Sequence, residues 1–287
     1  MSATPIRNAF TIDVEDYFQV SAFAPHITRE SWDRLPCRVE RNVEAILSML
    51  AEHGVHATWF TLGWIAERYP RLVRQIVEQG HELASHGYEH RRASEQSPAE
   101  FLNDITSAKS LLQDIGGVEV RGYRAPSFSI GRNNLWALDC LEEAGYRYSS
   151  SIYPVRHDHY GMPEASRFAF HPQPGGLLEL PPSTVSLLGR NLPAGGGGYF
   201  RLLPYGVSRW CMRRVNSVDR QPCIFYFHPW EIDPGQPRQA GIGLKTRFRH
   251  YVNLSSMEGR IRKLLRDFEW GRLDSVFLAE IDGRARY

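Results

Sequence analysis

The chain has 287 residues, and its 34 Lys and Arg nearly cancel its 32 Asp and Glu, for a net charge of +2. That balance, with no long basic run, excludes nucleic acid as an implied partner. No stretch approaches the ~18 consecutive apolar residues that span a bilayer. A hydrophobic content of 42% builds a core without disulfides, and Cys37, Cys140, Cys211 and Cys223 form no CxxC zinc or redox motif. Met1 to Ala9 is polar and lacks the pattern of a signal peptide, so a reducing, cytoplasmic setting is expected.

In chain order, Phe10 to Val14 reads as a short buried strand ending on carboxylates. Residues 17 to 38 are irregular. Val39, Val43, Ile46, Leu47 and Leu50 then fall at helical spacing up to Gly54. His56 to Thr61 is a second strand, Arg71 to Gln79 a helix after Pro70, and His81 to Ala84 a strand that delivers His86. Ser97-Pro98-Ala99-Glu100 is a capping box with proline at the first helical position. Phe101, Ile105, Ala108, Leu112 and Ile115 continue from it as one apolar stripe. Val118 to Arg124 and Tyr146 to Ile152 are strand-like, with a helix marked by Leu135, Leu138 and Leu141 between them. This alternation predicts parallel strands with crossover helices, hence an α/β barrel or a doubly wound sheet. After Tyr153 proline and glycine become frequent. Gly195 to Gly198 lacks a following Lys-Ser/Thr and reads as a close-approach loop, not a phosphate cradle. Residues 204 to 216 and Leu254 to Phe268 are expected helices. Cys223 to Phe227 is a strand that delivers His228.

His86 and His90 stand four positions apart, a spacing that lets two imidazoles meet one metal if the turn is helical. The carboxylates of Asp13-Val14-Glu15-Asp16 are the best source of a third ligand. Two His and one carboxylate leave a position open for water, the layout of a catalytic site and not a structural one. Strand alternation puts Glu15 on the face of Asp13, which favours Glu15 over Asp16 as the ligand. Asp13, His86, Arg124 and His228 all follow the ends of apolar strands, where parallel α/β folds place their active sites. His157-Asp158-His159 is a weaker second metal candidate. His81, ahead of a strand, reads as structural.

Together these residues resemble the polysaccharide deacetylase (NodB-homology, carbohydrate esterase family 4) superfamily. The resemblance rests on Thr11 to Asp16, Ala57 to Phe60, Gly80-His81-Glu82, Ser85 to His90, Arg124-Ala125-Pro126 and Phe225 to His228. Leu178 to Thr184, Gly196 to Arg201 and His228-Pro229-Trp230-Glu231 are similar to the exosortase- and exopolysaccharide-associated branch. The resemblance implies one domain over 1–287, a distorted (β/α) barrel with about seven strands. Its core would be residues 8–155 plus 224–232, with a family-specific part over 156–287. It further implies hydrolysis of sugar acetamides, with Asp13 as base, Arg124 orienting it, His228 as acid and His86 and His90 as ligands. One divalent ion would be held, zinc first, with cobalt, nickel or iron also suited to these ligands. The expected substrate is an N-acetylated sugar or oligosaccharide, lipid-linked precursors included. Tyr199, Arg201, Trp230 and Phe128 are the candidate substrate contacts. Three positions depart from the family pattern. Asp-Val-Glu-Asp replaces adjacent aspartates, Tyr148-Ser149-Ser150-Ser151 lacks the usual groove Asp, and Phe128 stands where a small or polar residue is common. Two other readings remain open: a related C–N hydrolase acting on a non-sugar amide, and a catalytically silent glycan-binding member.

Overall fold

A computed structural model describes residues 5–157, 160–174 and 176–278. Its strands are β1 (Arg7–Val14), β2 (Thr58–Thr61), β3 (Glu82–Ser85), β4 (Gly122–Tyr123), β5 (Tyr148–Ser149), β6 (Leu178–Glu179), β7 (Thr184–Leu187), β8 (Arg190–Pro193), β9 (Ile224–Phe227) and β10 (Glu269–Gly271). The α-helices are α1 (Val39–Glu52), α2 (Gly63–Arg68), α3 (Pro70–Glu78), α4 (Pro98–Gly116), α5 (Trp136–Glu143), α6 (Gly197–Leu202), α7 (Tyr205–Arg214), α8 (Leu244–Tyr251), α9 (Leu254–Asp267) and α10 (Leu273–Phe277).

Eight strands form one parallel sheet, and β7 and β8 form a separate antiparallel hairpin. The first three residues of β1 pair with β10 and its last four with β2, while β9 lies along the opposite edge. From β2 the order runs through β3, β4 and β5 to β6. The sheet curls back on itself, because the chain beyond β6 bonds to β9. Ser183 N donates to Ile224 O at 3.3 Å and Tyr226 N to Gly195 O at 2.7 Å. This is the expected distorted barrel. Its sheet also draws β6 and β10 from the second half of the chain.

Local chemistry explains the elements that hold the site. Helix α4 starts on the Ser97–Glu100 capping box and stops at Gly117, whose φ of 66° suits glycine. Helix α1 turns Val39, Val43, Ile46, Leu47 and Leu50 inward, each worth about 1.5–3 kcal/mol of burial. They pack with Ile12, Val14, Phe225 and Phe227 of the central strands. A Leu50→Ala change there would cost about 2–5 kcal/mol. The short β4 and β5 are two residues each, where longer strands are expected from their apolar runs. Helix α2, helix α8 and the β7–β8 hairpin carry no clear period in the sequence; only packing reveals them.

Candidate metal centre and active site

Strand β1 is buried along seven of its eight residues and carries Asp13 to the sheet's C-terminal edge. The chain turns just after it, so Asp13 and Glu15 face the same side, as alternation demands. Strand β3 delivers His86 to the same edge. The loop after it is not helical, so the imidazoles meet by another route. Gly87 and His90 both take left-handed backbone, with φ of 77° and 56°, and the two rings end with centroids 5.3 Å apart. The loop is pinned by α2, whose Gly63 and Trp64 N–H groups donate to the carbonyls of Gly87 and Tyr88 at 2.9 Å. A β carbon at Gly87 would stand 2.9 Å from Asp104 Oδ2.

Ligand atoms of Glu15, His86 and His90 all lie within 4.8 Å of one another. Among the described residues no other group of three His, Cys, Asp or Glu side chains gathers so closely. His86 and Glu15 are each held from their outer side. His86 Nδ1 lies 2.8 Å from the Arg124 carbonyl, so it carries the hydrogen and leaves Nε2 with a lone pair. Burial depresses the His86 imidazole to about 4, which keeps it neutral. Glu15 Oε1 accepts from Trp230 Nε1 at 3.1 Å. Glu15 Oε2 lies 2.7 Å from His90 Nε2 but is buried without an aligned hydrogen bond. Burial opposes charge on Glu15, yet His90, His228 and His86 outweigh it and hold the carboxyl far below its ordinary range. A buried, ionised carboxylate oxygen lacking a donor, facing two imidazoles, fits a divalent cation.

Asp13 stands beside this cluster. Arg124 Nη1 donates to Asp13 Oδ1 at 2.5 Å and to Thr11 Oγ1 at 2.8 Å. Its Nη2 donates to Ser150 Oγ at 2.9 Å, and its carbon lies 4.1 Å above the Phe60 ring. Arg124 is wholly buried, so this guanidinium can point only at Asp13 and the groups around it. Ser150 Oγ in turn donates to the Leu180 carbonyl at 2.7 Å. His228, after β9, sets Nε2 3.9 Å from Asp13 Oδ2 and 3.6 Å from Glu15 Oε1. Burial disfavours its charge, but Glu15, Glu231 and Asp13 overcome this and raise the imidazole to about 9. At neutral pH it holds a proton to give.

Four expected site residues, Asp16, Arg201, Trp230 and Phe128, have their side chains engaged by other groups of the chain. Asp16 is no metal ligand here. Its Oδ2 accepts from the backbone N–H groups of Arg38 and Val39, at 2.5 and 2.8 Å, and from Cys37 Sγ, while Oδ1 accepts from Tyr17 N. Asp16 therefore caps the start of α1 and the turn at residues 17–19, because the strand ends before it and its side chain turns away from Asp13. Arg201 is 2% exposed and salt-bridged to Glu231, not open to a substrate. Trp230 and Phe128 are each 5% exposed. The first serves Glu15; the second packs on Tyr153 and Tyr226 at 5.2 and 4.8 Å. Tyr199, on α6, is the one exposed side chain among the four candidate substrate contacts. His81 Nδ1 accepts from Ala57 N at 3.1 Å, a structural role. Asp158 and His159 lie outside the described residues, and His157 stacks on Tyr160 with centroids 4.0 Å apart. Sequence reasoning missed Glu231 as a partner of His228, although the spacing His-Pro-Trp-Glu is the pattern of a capping box. The Trp230 indole N–H on Glu15 had no local signal.

Residues 30–149 match the family model described as polysaccharide deacetylase, and residues 150–278 match a domain of unknown function, DUF3473. The first match contains His86, His90 and Arg124; Asp13, Glu15 and His228 join them through the fold. A peptidoglycan-N-acetylglucosamine deacetylase of Bacillus cereus is 34% identical over 95 residues, 33% of this chain and 34% of that protein. A chitooligosaccharide deacetylase of Azorhizobium caulinodans is 35% identical over 83 residues, 29% of this chain and 40% of that protein. The chain thus spans well under half the length of these relatives. Two solved structures share the fold. One, described as a polysaccharide deacetylase from Mycobacterium smegmatis, aligns with TM-score 0.60 and 18% identity over 99% of this chain and 96% of that one. The other, an allantoinase, aligns with TM-score 0.58 and 15% identity over 96% and 93%.

Proposed function

We propose that this chain, whose residues 30–149 match the polysaccharide deacetylase family model, is a metal-dependent N-deacetylase of an N-acetylated sugar. The observation that carries the reading is the close set of Glu15, His86 and His90 ligand atoms with Asp13 and His228 beside it. Those three side chains would hold a divalent ion, zinc first among the candidates. When bound, it supplies Lewis acidity toward an acetamide carbonyl and toward water. Asp13, aimed by Arg124, takes the proton of the attacking water. His228 Nε2, on the opposite side of Glu15 from His90, gives its proton to the leaving amine, which is too basic to depart unprotonated. Tyr199 offers an exposed ring face to a sugar. The proposed substrate is an N-acetylated precursor of an exported polysaccharide, free or lipid-linked, in keeping with the resemblance of the second half to the exopolysaccharide-associated branch. A cytoplasmic site of action is part of this proposal. Among the described residues no helix is long and apolar enough to cross a membrane.

The test is acetate release by the purified, metal-analysed protein from a panel of N-acetylated oligosaccharides, run beside small cyclic and linear amides. The expected result is turnover of the sugars and one bound divalent ion per chain. Asp13→Asn is expected to lower turnover by roughly 10²–10⁴-fold with the metal retained. Turnover confined to the small amides, or Asp13→Asn protein as active as the parent, would overturn the reading.

A further inference from the structure

The half of the chain matched only by a domain of unknown function supplies His228, and it also builds everything that holds that ring. His228 Nδ1 lies 2.8 Å from Glu231 Oε1, and the same oxygen accepts from the His228 backbone N–H at 3.1 Å. Glu231 Oε2 accepts from Arg201 Nε at 2.6 Å. Arg201 spends its other N–H groups on backbone, donating to the carbonyls of His250, Val252 and Arg249 at 2.9, 2.7 and 3.2 Å. Glu231 and Arg201 are 1% and 2% exposed. The faces of the ring are fixed as well. His228 stacks on Trp230 with centroids 5.3 Å apart and planes 16° apart, and Trp230 stacks in turn on His250 at 4.3 Å.

The glycine run is shaped around this carboxylate. A β carbon at Gly197 would fall 2.2 Å from Glu231 Oε1 and 2.6 Å from Oε2, and one at Gly196 would fall 2.7 Å from Tyr226 Oη. Gly197 does not have left-handed backbone, so only lack of space excludes a side chain there. Glu231 cannot swing aside, since Arg201 holds its other oxygen. A buried ion pair is weak evidence for stability in itself, because desolvation offsets its attraction. This pair instead meets an imidazole whose Nε2 lies 3.9 Å from Asp13 Oδ2 and 3.6 Å from Glu15 Oε1. A carboxylate on Nδ1 requires the hydrogen there, which leaves Nε2 as the atom turned toward the reacting groups.

We infer that Gly197, Arg201 and Glu231 form a seat that fixes the ring plane and the Nδ1 proton of His228, and that this positioning is what the second half of the chain contributes to the reaction. Glu231 and Arg201 are positioning residues. The inference rests on the reading of His228 as proton donor under Proposed function.

The experiment uses full-length, metal-loaded protein and the variants Glu231→Gln, Glu231→Ala and Gly197→Ala. Acetate release gives kcat and KM. Proton–nitrogen spectra of histidine-labelled protein give the Nδ1–H resonance of His228, identified by its loss in His228→Ala. The expected result is a kcat lower by roughly 10²-fold in Glu231→Ala and Gly197→Ala, with KM and bound metal little changed and the Nδ1–H resonance lost or exchange-broadened. Glu231→Gln, which keeps an acceptor oxygen, is expected to retain the resonance and part of the rate. A resonance unaltered in Glu231→Ala would overturn the seat, as would a KM effect without a kcat effect. If the parent protein releases no acetate from any sugar, the functional reading fails, while the spectra still decide whether Glu231 and Gly197 set the imidazole.

Discussion

The barrel buries carboxylates at both ends, and the two groups differ in how fully their atoms are matched. At the N-terminal end of the strands, Glu82 Oε1 accepts from Tyr148 Oη at 2.9 Å, and Oε2 from Thr58 Oγ1 at 2.6 Å and Asp274 N at 3.1 Å. Asp274 is paired with Arg121 and Arg272. At the C-terminal end, Glu15 keeps a buried oxygen without an aligned donor, among three imidazoles. Both clusters are acidic and inaccessible, so composition does not tell them apart. Satisfaction does. A carboxylate whose oxygens are all matched has nothing left for a cation, whereas one short of a partner costs stability that a ligand can repay. The lower cluster is matched within itself, and the upper one, at the C-terminal edge of the strands, is the candidate site.

The sharpest way to break this contrast is to remove a ligand from each end. His86→Ala and Glu15→Ala are expected to lose the bound ion, measured by elemental analysis, and to bring acetate release down to background. Glu82→Ala is expected to leave metal content and kcat intact while lowering unfolding stability by roughly 3 kcal/mol, as three donors lose their acceptor. Urea unfolding measures that loss. If Glu82→Ala abolished metal binding, the division between the two ends would collapse.

The same residue gives a pH signature. Burial first, and Asp274 second, raise the Glu82 carboxyl above its ordinary value. At low pH both folded and unfolded chains hold its proton. As pH rises, the unfolded chain releases the proton first, so folded stability declines through the window between the ordinary and the raised value. The Glu82→Ala variant should lack this component of the slope, and the comparison of unfolding at pH 5 and pH 8 checks it. The smallest expected effect on the metal falls on Asp16. Asp16→Ala leaves four donors without their acceptor and should cost about 3 kcal/mol of stability with the metal retained. Loss of the ion in that variant would reinstate Asp16 as a ligand.

Much of this was readable without a structure, because it depends on periods and on caps. The spacing of Val39 to Leu50, the Ser97–Glu100 box and the apolar runs before Asp13, His86 and His228 are local, and local chemistry decided those elements. Alternation along β1 likewise chose Glu15 over Asp16 as the residue on the face of Asp13. The rest was settled by contacts across long stretches of chain. The loop at His86 reaches its geometry through left-handed residues pinned by α2, not through a helix. Arg201 and Trp230, conspicuous as a cation and a ring beside glycine and proline, turn inward because Glu231 and Glu15, 30 and 215 positions away, take their hydrogen bonds. A sequence states which groups are available, and only the folded chain decides which of them are already spent on one another.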